Sequence, residues 1–514
     1  MKANNKVVSV LFQLIAYFFS AFTLLMIYGS IRSVNFNLSN LTNGFFLVVF
    51  LFVIMAMFFL FSKKNQNLAI DKILLIGMFI RKRLGLITAI LFLIGVVVQL
   101  FILKNITVPI GWDVGRIFTG VVDFPDSQES ISGYLSLNPN NSFYFFLMYT
   151  IKKIADSFVV GPGSSWLYWQ IGNTILLDVG IILFFIAVKR LFGRRIAYIS
   201  GYISAISLMF SPWILVPYTD TIMIPVISSI LLLYSYLIGS KNNYLKLCIT
   251  FFLGVGVMCA FLLKPSSVIF IIALAIVSVL KGILEKKRPS LIQIILILVF
   301  ILSAGLTMQG FTFFKDNQNI VNYNEEAAKP WTHFVMMGLK GSGGYDEEDS
   351  IATDSRPTQE EKKAFNIETI KSRLQNYGFS GYLKFLFNKF FSNTDRGDFA
   401  WGVDGTEEIP LKKAENRIQA YLRDIYYRQG SRVNNLKFIM QCLWVLVLIG
   451  MLMAYAKAQE NKLIIIAMLT VIGALLYLLL FEGGRSRYLI QFLPFFYLVS
   501  GFGWNQFFSG KSKV

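Results

Sequence analysis

Long apolar runs recur along the whole chain, each followed by a short polar link that often carries Lys or Arg. Crossing the hydrocarbon of a bilayer takes a helix of about 20 mostly apolar residues. Twelve such spans are predicted, near 7–31, 43–62, 84–103, 165–188, 196–216, 219–239, 246–263, 266–281, 291–311, 436–456, 463–481 and 488–507. The first follows Met1-Lys2 without a small-residue cleavage motif, so it reads as a retained helix rather than a removed signal peptide. No internal repeat is visible of the kind that marks many secondary transporters. The pattern predicts an all-α polytopic membrane protein.

Composition agrees with that reading. The 514 residues are 55% hydrophobic and 15% charged, against roughly 45–50% and about 25% in soluble domains. There are too few charges to coat several soluble domains, which excludes a soluble enzyme. Cys248, Cys259 and Cys442 sit in apolar runs without ligand spacing, arguing against a disulfide framework and a zinc site. The net charge of +19 is accounted for by topology. With the N-terminus inside, the cytoplasmic links hold 22 Lys and Arg against Asp71, Glu285 and Glu460, a net of +19. The rest of the chain is neutral, so no nucleic acid partner is needed.

This topology divides the chain into N-terminal transmembrane helices (1–103), a first outer loop (104–164), a central transmembrane bundle (165–311), an extracytoplasmic domain (312–435) and C-terminal transmembrane helices (436–514). Both termini fall in the cytoplasm. Helix-like stretches at 359–376 and 407–428 lie in the extracytoplasmic domain, beside Gly-rich turns near 341–344.

The first outer loop concentrates candidate chemistry. Asp113, Asp123, Asp126 and Glu129 follow the third span closely. A carboxylate beside Trp112, at the level of a lipid headgroup, could serve as general base for an incoming hydroxyl; it could equally be a solvated loop acid. Asn138-Pro139-Asn140-Asn141 signals a turn, and 142–155 reads as an interfacial helix with its aromatic side down. Asp220 opens the sixth span at the outer face. Asp178 falls near mid-span, where an acid is either functional or a hydrogen-bonding partner for a neighbour such as Asn173.

With these residues the chain resembles the GT-C glycosyltransferases, in the branch of protein O-mannosyltransferases and lipid-A aminoarabinose transferases, and more narrowly the integral membrane members of Gram-positive bacteria. Asp113 opens a long first loop with two interfacial helices. Lys189-Arg190-Leu191-Phe192-Gly193-Arg194-Arg195 and Tyr218-Thr219-Asp220 follow, then Leu263-Lys264-Pro265, and finally Phe481-Glu482-Gly483-Gly484-Arg485-Ser486-Arg487-Tyr488 before Phe492-Leu493-Pro494. His333-Phe334-Val335-Met336-Met337-Gly338-Leu339 and Gly343-Gly344-Tyr345 carry the narrower likeness. The mannosyltransferase relatives place a second acid beside the base, whereas Trp112 and Val114 flank Asp113 here, and the two spans in 7–62 look like an addition.

The resemblance implies a GT-C-like bundle in the bacterial plasma membrane with an extracytoplasmic active site. It also implies a polyprenyl-phosphate (undecaprenyl-phosphate) monosaccharide donor and inversion at the anomeric carbon. The acceptor would be a wall polysaccharide, a teichoic acid or a surface protein. Asp113 would be the base. Arg485, Arg487 and Lys264 would hold the donor phosphate, or else act as interfacial anchors. Asp123, Asp126, Asn140, Asn141, Asp220 and His333 would bind or orient substrate, with Glu482 orienting Arg485; loop capping and structural roles stay open for them. No cofactor is demanded. A divalent cation at Asp346-Glu347-Glu348-Asp349, or near Asp123 and Asp126, stays open beside a solvated face. An O-antigen-polymerase-like protein and a lipid-linked oligosaccharide flippase are the competing readings.

Overall fold

The computed structural model describes residues 2–61, 71–158, 161, 164–286, 288–403, 413–481 and 483–509, and among these the chain forms helices and no strand. α1 (Lys2–Arg32), α2 (Leu41–Phe61) and α3 (Asp71–Ile106) lead to three shorter helices, α4 (Trp112–Val122), α5 (Gln128–Leu137) and α6 (Ser142–Phe158). A central bundle follows, of α7 (Trp166–Phe192), α8 (Arg194–Met209), α9 (Thr219–Gly239), α10 (Asn243–Leu263), α11 (Ile269–Leu284) and α12 (Leu291–Asn317). Then come α13 (Trp331–Met337), α14 (Glu347–Asp354), α15 (Gln359–Thr394) and α16 (Arg417–Tyr426). The chain closes with α17 (Val433–Met453), α18 (Tyr455–Ala458), α19 (Lys462–Leu480) and α20 (Leu493–Ser509).

Nine of the described helices are long and apolar enough to cross a membrane: α1, α3, α7, α9, α10, α11 with its leading turn, α12, α17 and α19. Three predicted spans differ. The one at 43–62 corresponds to α2, whose far end runs into residues outside the described set. α8 has 16 residues and α20 has 17, about 25 Å each at 1.5 Å per residue. Both are prolonged by 3-10 turns, Pro212–Leu215 after α8 and Ser486–Phe492 before α20. Pro212 and Pro494 explain the change of helix type, because proline lacks the N–H that an uninterrupted α-helix would use.

The bundle has two chemically distinct ends. At one, Arg190 donates to Ser235 Oγ at 3.2 Å and lies 3.6 Å over the Tyr236 ring, while Arg195 reaches Ser509 at 3.1 Å. At the other, α7 stitches the link after α3 to the 3-10 turn after α8. Gln170 donates to the carbonyls of Val108 (2.7 Å) and Leu215 (3.0 Å), and Asn173 to those of Trp213 (3.2 Å) and Ile214 (3.0 Å). Irregular backbone at membrane depth is stable only when protein groups satisfy it, and these buried amides do so. Further down α7, Asp178 is buried beside Gln99 of α3.

Segment 318–432 covers the second end. Asp349 takes a bidentate ion pair from Arg373 (2.7 and 2.6 Å), and buried Lys362 donates to the carbonyls of Glu326 (2.6 Å) and Ala327 (2.8 Å). The predicted helical stretch 359–376 is the first half of α15. The stretch at 407–428 is represented by α16, and residues 404–412 lie outside the described set.

Candidate functional site

Asp113 occupies the first turn of α4, directly after Trp112, whose φ of 44° is a rare left-handed conformation for a bulky residue. Its carboxylate is held from two sides. Tyr134 Oη, on α5, donates to Oδ1 at 2.8 Å, and Tyr218 Oη, at the N-cap of α9, donates toward Oδ2 at 3.1 Å. Asn141 ties the two phenols together, donating from Nδ2 to Tyr134 Oη at 2.7 Å and placing Oδ1 3.0 Å from Tyr218 Oη. Burial, and after it the Asp113 charge, push both phenols well above the ordinary tyrosine value, so both keep their protons and act as donors.

Beside this group lies a compact set of charges. Asp220, buried in the first turn of α9, pairs with Lys264 Nζ, and its Oδ2 lies 3.5 Å from Arg487 Nε. Lys264 ends α10 and precedes Pro265; Arg487 sits in the 3-10 turn before α20. The Arg487 guanidinium is 4.4 Å over the Trp112 ring and 5.0 Å over that of Tyr488. The Trp112 and Tyr218 rings meet edge to face, 5.1 Å between centroids. One connected cluster therefore joins Asp113, Tyr134, Asn141, Tyr218, Trp112, Arg487, Asp220 and Lys264.

The other predicted residues lie elsewhere. Arg485 is directed toward the 342–344 turn, its Nε being 3.3 Å from where a Cβ on Gly344 would stand. Asp123 and Asn140 are exposed. Asp126 lines an open hollow of about 590 Å³ with Glu129, Ser132 and Asn324. His333 is buried in a chain of hydrogen bonds, Nδ1 to Thr353 Oγ1 at 2.8 Å and from there to Asn366 at 3.0 Å. Burial, then Lys329, lowers its pKa to about 4, so the ring is neutral. Glu482 lies outside the described residues. Asp346 caps α14 and, with Glu348, binds Lys340 (2.8 and 2.6 Å). No group of three or more His, Cys, Asp or Glu side chains suited to an ion gathers among the described residues.

Two features that hold the cluster and its neighbouring strip escaped the sequence reading. Tyr134 carries no local motif; only the fold brings it to Asp113. Lys389 of α15, fully buried, donates to the carbonyls of Gly338 (2.7 Å), Leu479 (3.1 Å) and Phe481 (2.6 Å). Asn393 Oδ1 accepts from Gly484 N at 2.6 Å, and Gly483 N donates to Gly343 O at 2.8 Å. The strip that delivers Arg485 and Arg487 is thereby fastened to α15.

The helices and this cluster define a polytopic integral membrane protein with a polar site at one end of its bundle. The chain belongs to the family described as conserved hypothetical integral membrane proteins, whose model matches residues 7–508. No curated protein matches it. Among solved structures it is similar to the Archaeoglobus fulgidus oligosaccharyltransferase tethered to an acceptor peptide, at 13% identity and a TM-score of 0.40. That alignment takes in 80% of this chain and 49% of the other, so the chain spans about half of that protein's length. ArnT from Cupriavidus metallidurans is also similar. Its apo form has 12% identity, a TM-score of 0.31 and coverage of 81% and 78%. Its undecaprenyl phosphate complex has 12% identity, a TM-score of 0.30 and coverage of 80% and 77%.

Proposed function

We propose that the chain is an inverting GT-C-type glycosyltransferase of the bacterial plasma membrane. It moves a monosaccharide from a polyprenyl-phosphate donor to an extracytoplasmic acceptor such as a wall polysaccharide, a teichoic acid or a protein. The observation that carries this reading is one cluster holding an oriented carboxylate, Asp113, and a guanidinium, Arg487, stacked on the very next side chain.

In the reaction, the acceptor oxygen attacks the anomeric carbon from the face opposite the phosphate, and the carbon–oxygen bond to phosphate breaks. Asp113 takes the acceptor proton. Each carboxylate oxygen has two lone-pair directions, so accepting one phenol each leaves room for that proton. The departing phosphate is already stable as an anion and needs no acid. Arg487 and Lys264 receive it, Arg487 through a planar fork suited to phosphate oxygens. Lipid-borne delivery is supported by the way α10 and α11 part below Lys264: α10 packs on α9 and α12, α11 on α19 and α1. Termini in the cytoplasm and the site at the opposite face follow from the Lys and Arg distribution.

The test compares the purified wild type with Asp113→Asn in nanodiscs, supplied with polyprenyl-phosphate monosaccharides and wall-polymer acceptor. Release of free polyprenyl phosphate by the wild type alone, with donor binding retained in the variant, is the expected result. Equal turnover removes Asp113 as base. Binding of a pyrophosphate-linked oligosaccharide, with no release from any monosaccharide donor, favours the polymerase or flippase instead.

A further inference from the structure

α15 is two helices in one. Gly378, at φ 57°, breaks it, a left-handed conformation that favours glycine. Before the break the sequence is rich in charge, Gln-Glu-Glu-Lys-Lys opening it; after it the residues read Phe-Ser-Gly-Tyr-Leu-Lys-Phe-Leu-Phe-Asn-Lys-Phe-Phe. Phe379, Leu383 and Phe387 form an i, i+4, i+8 row, exposed to 84%, 41% and 50%.

The inward side of this half reaches far along membrane-crossing helices. Phe390 stacks on Phe22 of α1, 5.8 Å between centroids, and Phe391 meets Tyr28 at 5.9 Å. Phe22 lies ten residues before Arg32, about 15 Å along the helix axis. The following turn goes equally deep. Trp444 Nε1, eleven residues into α17, donates to Thr394 O at 2.9 Å, and Gln441 serves Gly397 N (2.8 Å) and Asp395 O (2.7 Å). Trp213 Nε1 donates to Asp398 O at 3.0 Å, and Asp398 is closed by a bidentate pair with Arg396 (3.0 and 2.7 Å). Thr394, Asp398, Phe399, Ala400 and Trp401 are all buried. Side chains thus satisfy this non-helical backbone, the condition for its surviving at membrane depth.

We infer that Phe379–Trp401 is a re-entrant element: it descends into the bilayer from the site end of the bundle and returns without crossing, with the Phe379, Leu383 and Phe387 row lying in lipid. The row continues the lipid-facing apolar surface of α1, where Tyr17, Phe18, Leu24, Tyr28 and Ile31 are exposed. Exposed Lys384, next to Leu383, reaches from the row to anionic headgroups in the manner of snorkelling lysines. The predicted extracytoplasmic domain is on this reading not wholly outside the membrane.

The experiment places single cysteines, F379C, L383C or F387C, in a full-length chain whose Cys248, Cys259 and Cys442 are changed to alanine. I351C, at an exposed position of α14, serves as the aqueous reference. Each protein is labelled with a small fluorophore and reconstituted in phosphatidylethanolamine–phosphatidylglycerol vesicles. All four positions are exposed, and monodisperse elution in detergent checks the fold. The expected result is quenching of the three α15 labels by brominated lipid and shielding from aqueous iodide, with the reverse at 351. Iodide quenching at the three sites equal to that at 351 overturns the inference. Shielding from both quenchers also overturns it, in favour of a protein partner or second copy on this face.

Discussion

Tyr134 Oη donates to Asp113 Oδ1 at 2.8 Å while accepting from Asn141 Nδ2 at 2.7 Å, so its proton has one direction to point. The phenol orients the carboxylate without itself being able to take part in proton transfer near neutral pH. Changing Tyr134 to Phe removes that bond and leaves Asn141 Nδ2 without its acceptor. Under the proposed function, a loss of about 1–1.5 kcal/mol in orientation predicts roughly a tenfold fall in kcat with little change in donor binding. Steady-state kinetics of Y134F check this, and an unchanged kcat would remove Tyr134 from the mechanism.

Asp220 has two cationic neighbours and almost no water. Asp220→Ala leaves Lys264 and Arg487 facing each other without their anion. Loss of one partner from a buried ion group costs about 3–5 kcal/mol, so a marked fall in unfolding temperature is expected. Removing Lys264 as well should recover part of it, and thermal melts of D220A, K264M and the double variant measure the coupling.

His333 gives segment 318–432 a pH dependence. Its pKa is lowered to about 4 in the fold, against about 6.5 in the unfolded chain. Between those values the unfolded state binds the extra proton, so stability is full above about pH 6.5 and falls as pH drops toward 4. The whole effect is about 3 kcal/mol. Melting curves from pH 7 to 4 should slope more steeply for the wild type than for His333→Gln.

Gly484 has φ 71°, and a Cβ there would stand 2.4 Å from Ser342 O. Gly484→Ala must therefore shift the strip that delivers Arg487. Under the proposed function, the prediction is a weaker grip on polyprenyl phosphate, by about tenfold or more, with the melting temperature lowered by a few degrees. Binding at two salt concentrations separates a displaced Arg487 from general unfolding.

Lys389→Met would leave one buried and two part-buried carbonyls without this donor. A buried carbonyl left unsatisfied costs about 1–3 kcal/mol, and Lys389→Arg is not expected to rescue it because the wider guanidinium has no room beside Gly343. Limited proteolysis within 338–344 should accelerate in both variants.

What was legible in the sequence was whatever the membrane imposes on it. Long apolar runs and the Lys and Arg asymmetry announce helices, because a bilayer punishes any departure from them. Asp113, Asp220, Lys264 and Arg487 were visible as rare charges at the ends of such runs. Their meeting in one cluster was not, since it depends on α4, α9, α10 and the turn before α20 converging from distant parts of the chain. Tyr134 left no trace because its type is common and no spacing motif links it to Asp113, and Lys389 because its partners are far off in sequence. The apolar row of period four in the second half of α15 was not read from the sequence, because its Lys and Tyr content masks it. Of the two arginines given the same role, only Arg487 meets the Asp113 cluster; alternate residues of an irregular strip point different ways.

Asp220 stands between Lys264 and Arg487 as a resident counter-ion. Under the proposed function, an incoming phosphate therefore meets two cations that already share one carboxylate, and it competes with that carboxylate for them. When the ligand leaves, the carboxylate closes the gap from within the protein, with no need for salt or water to fill it. On that proposal, a site built this way is suited to handling a lipid phosphate repeatedly and poorly suited to storing it.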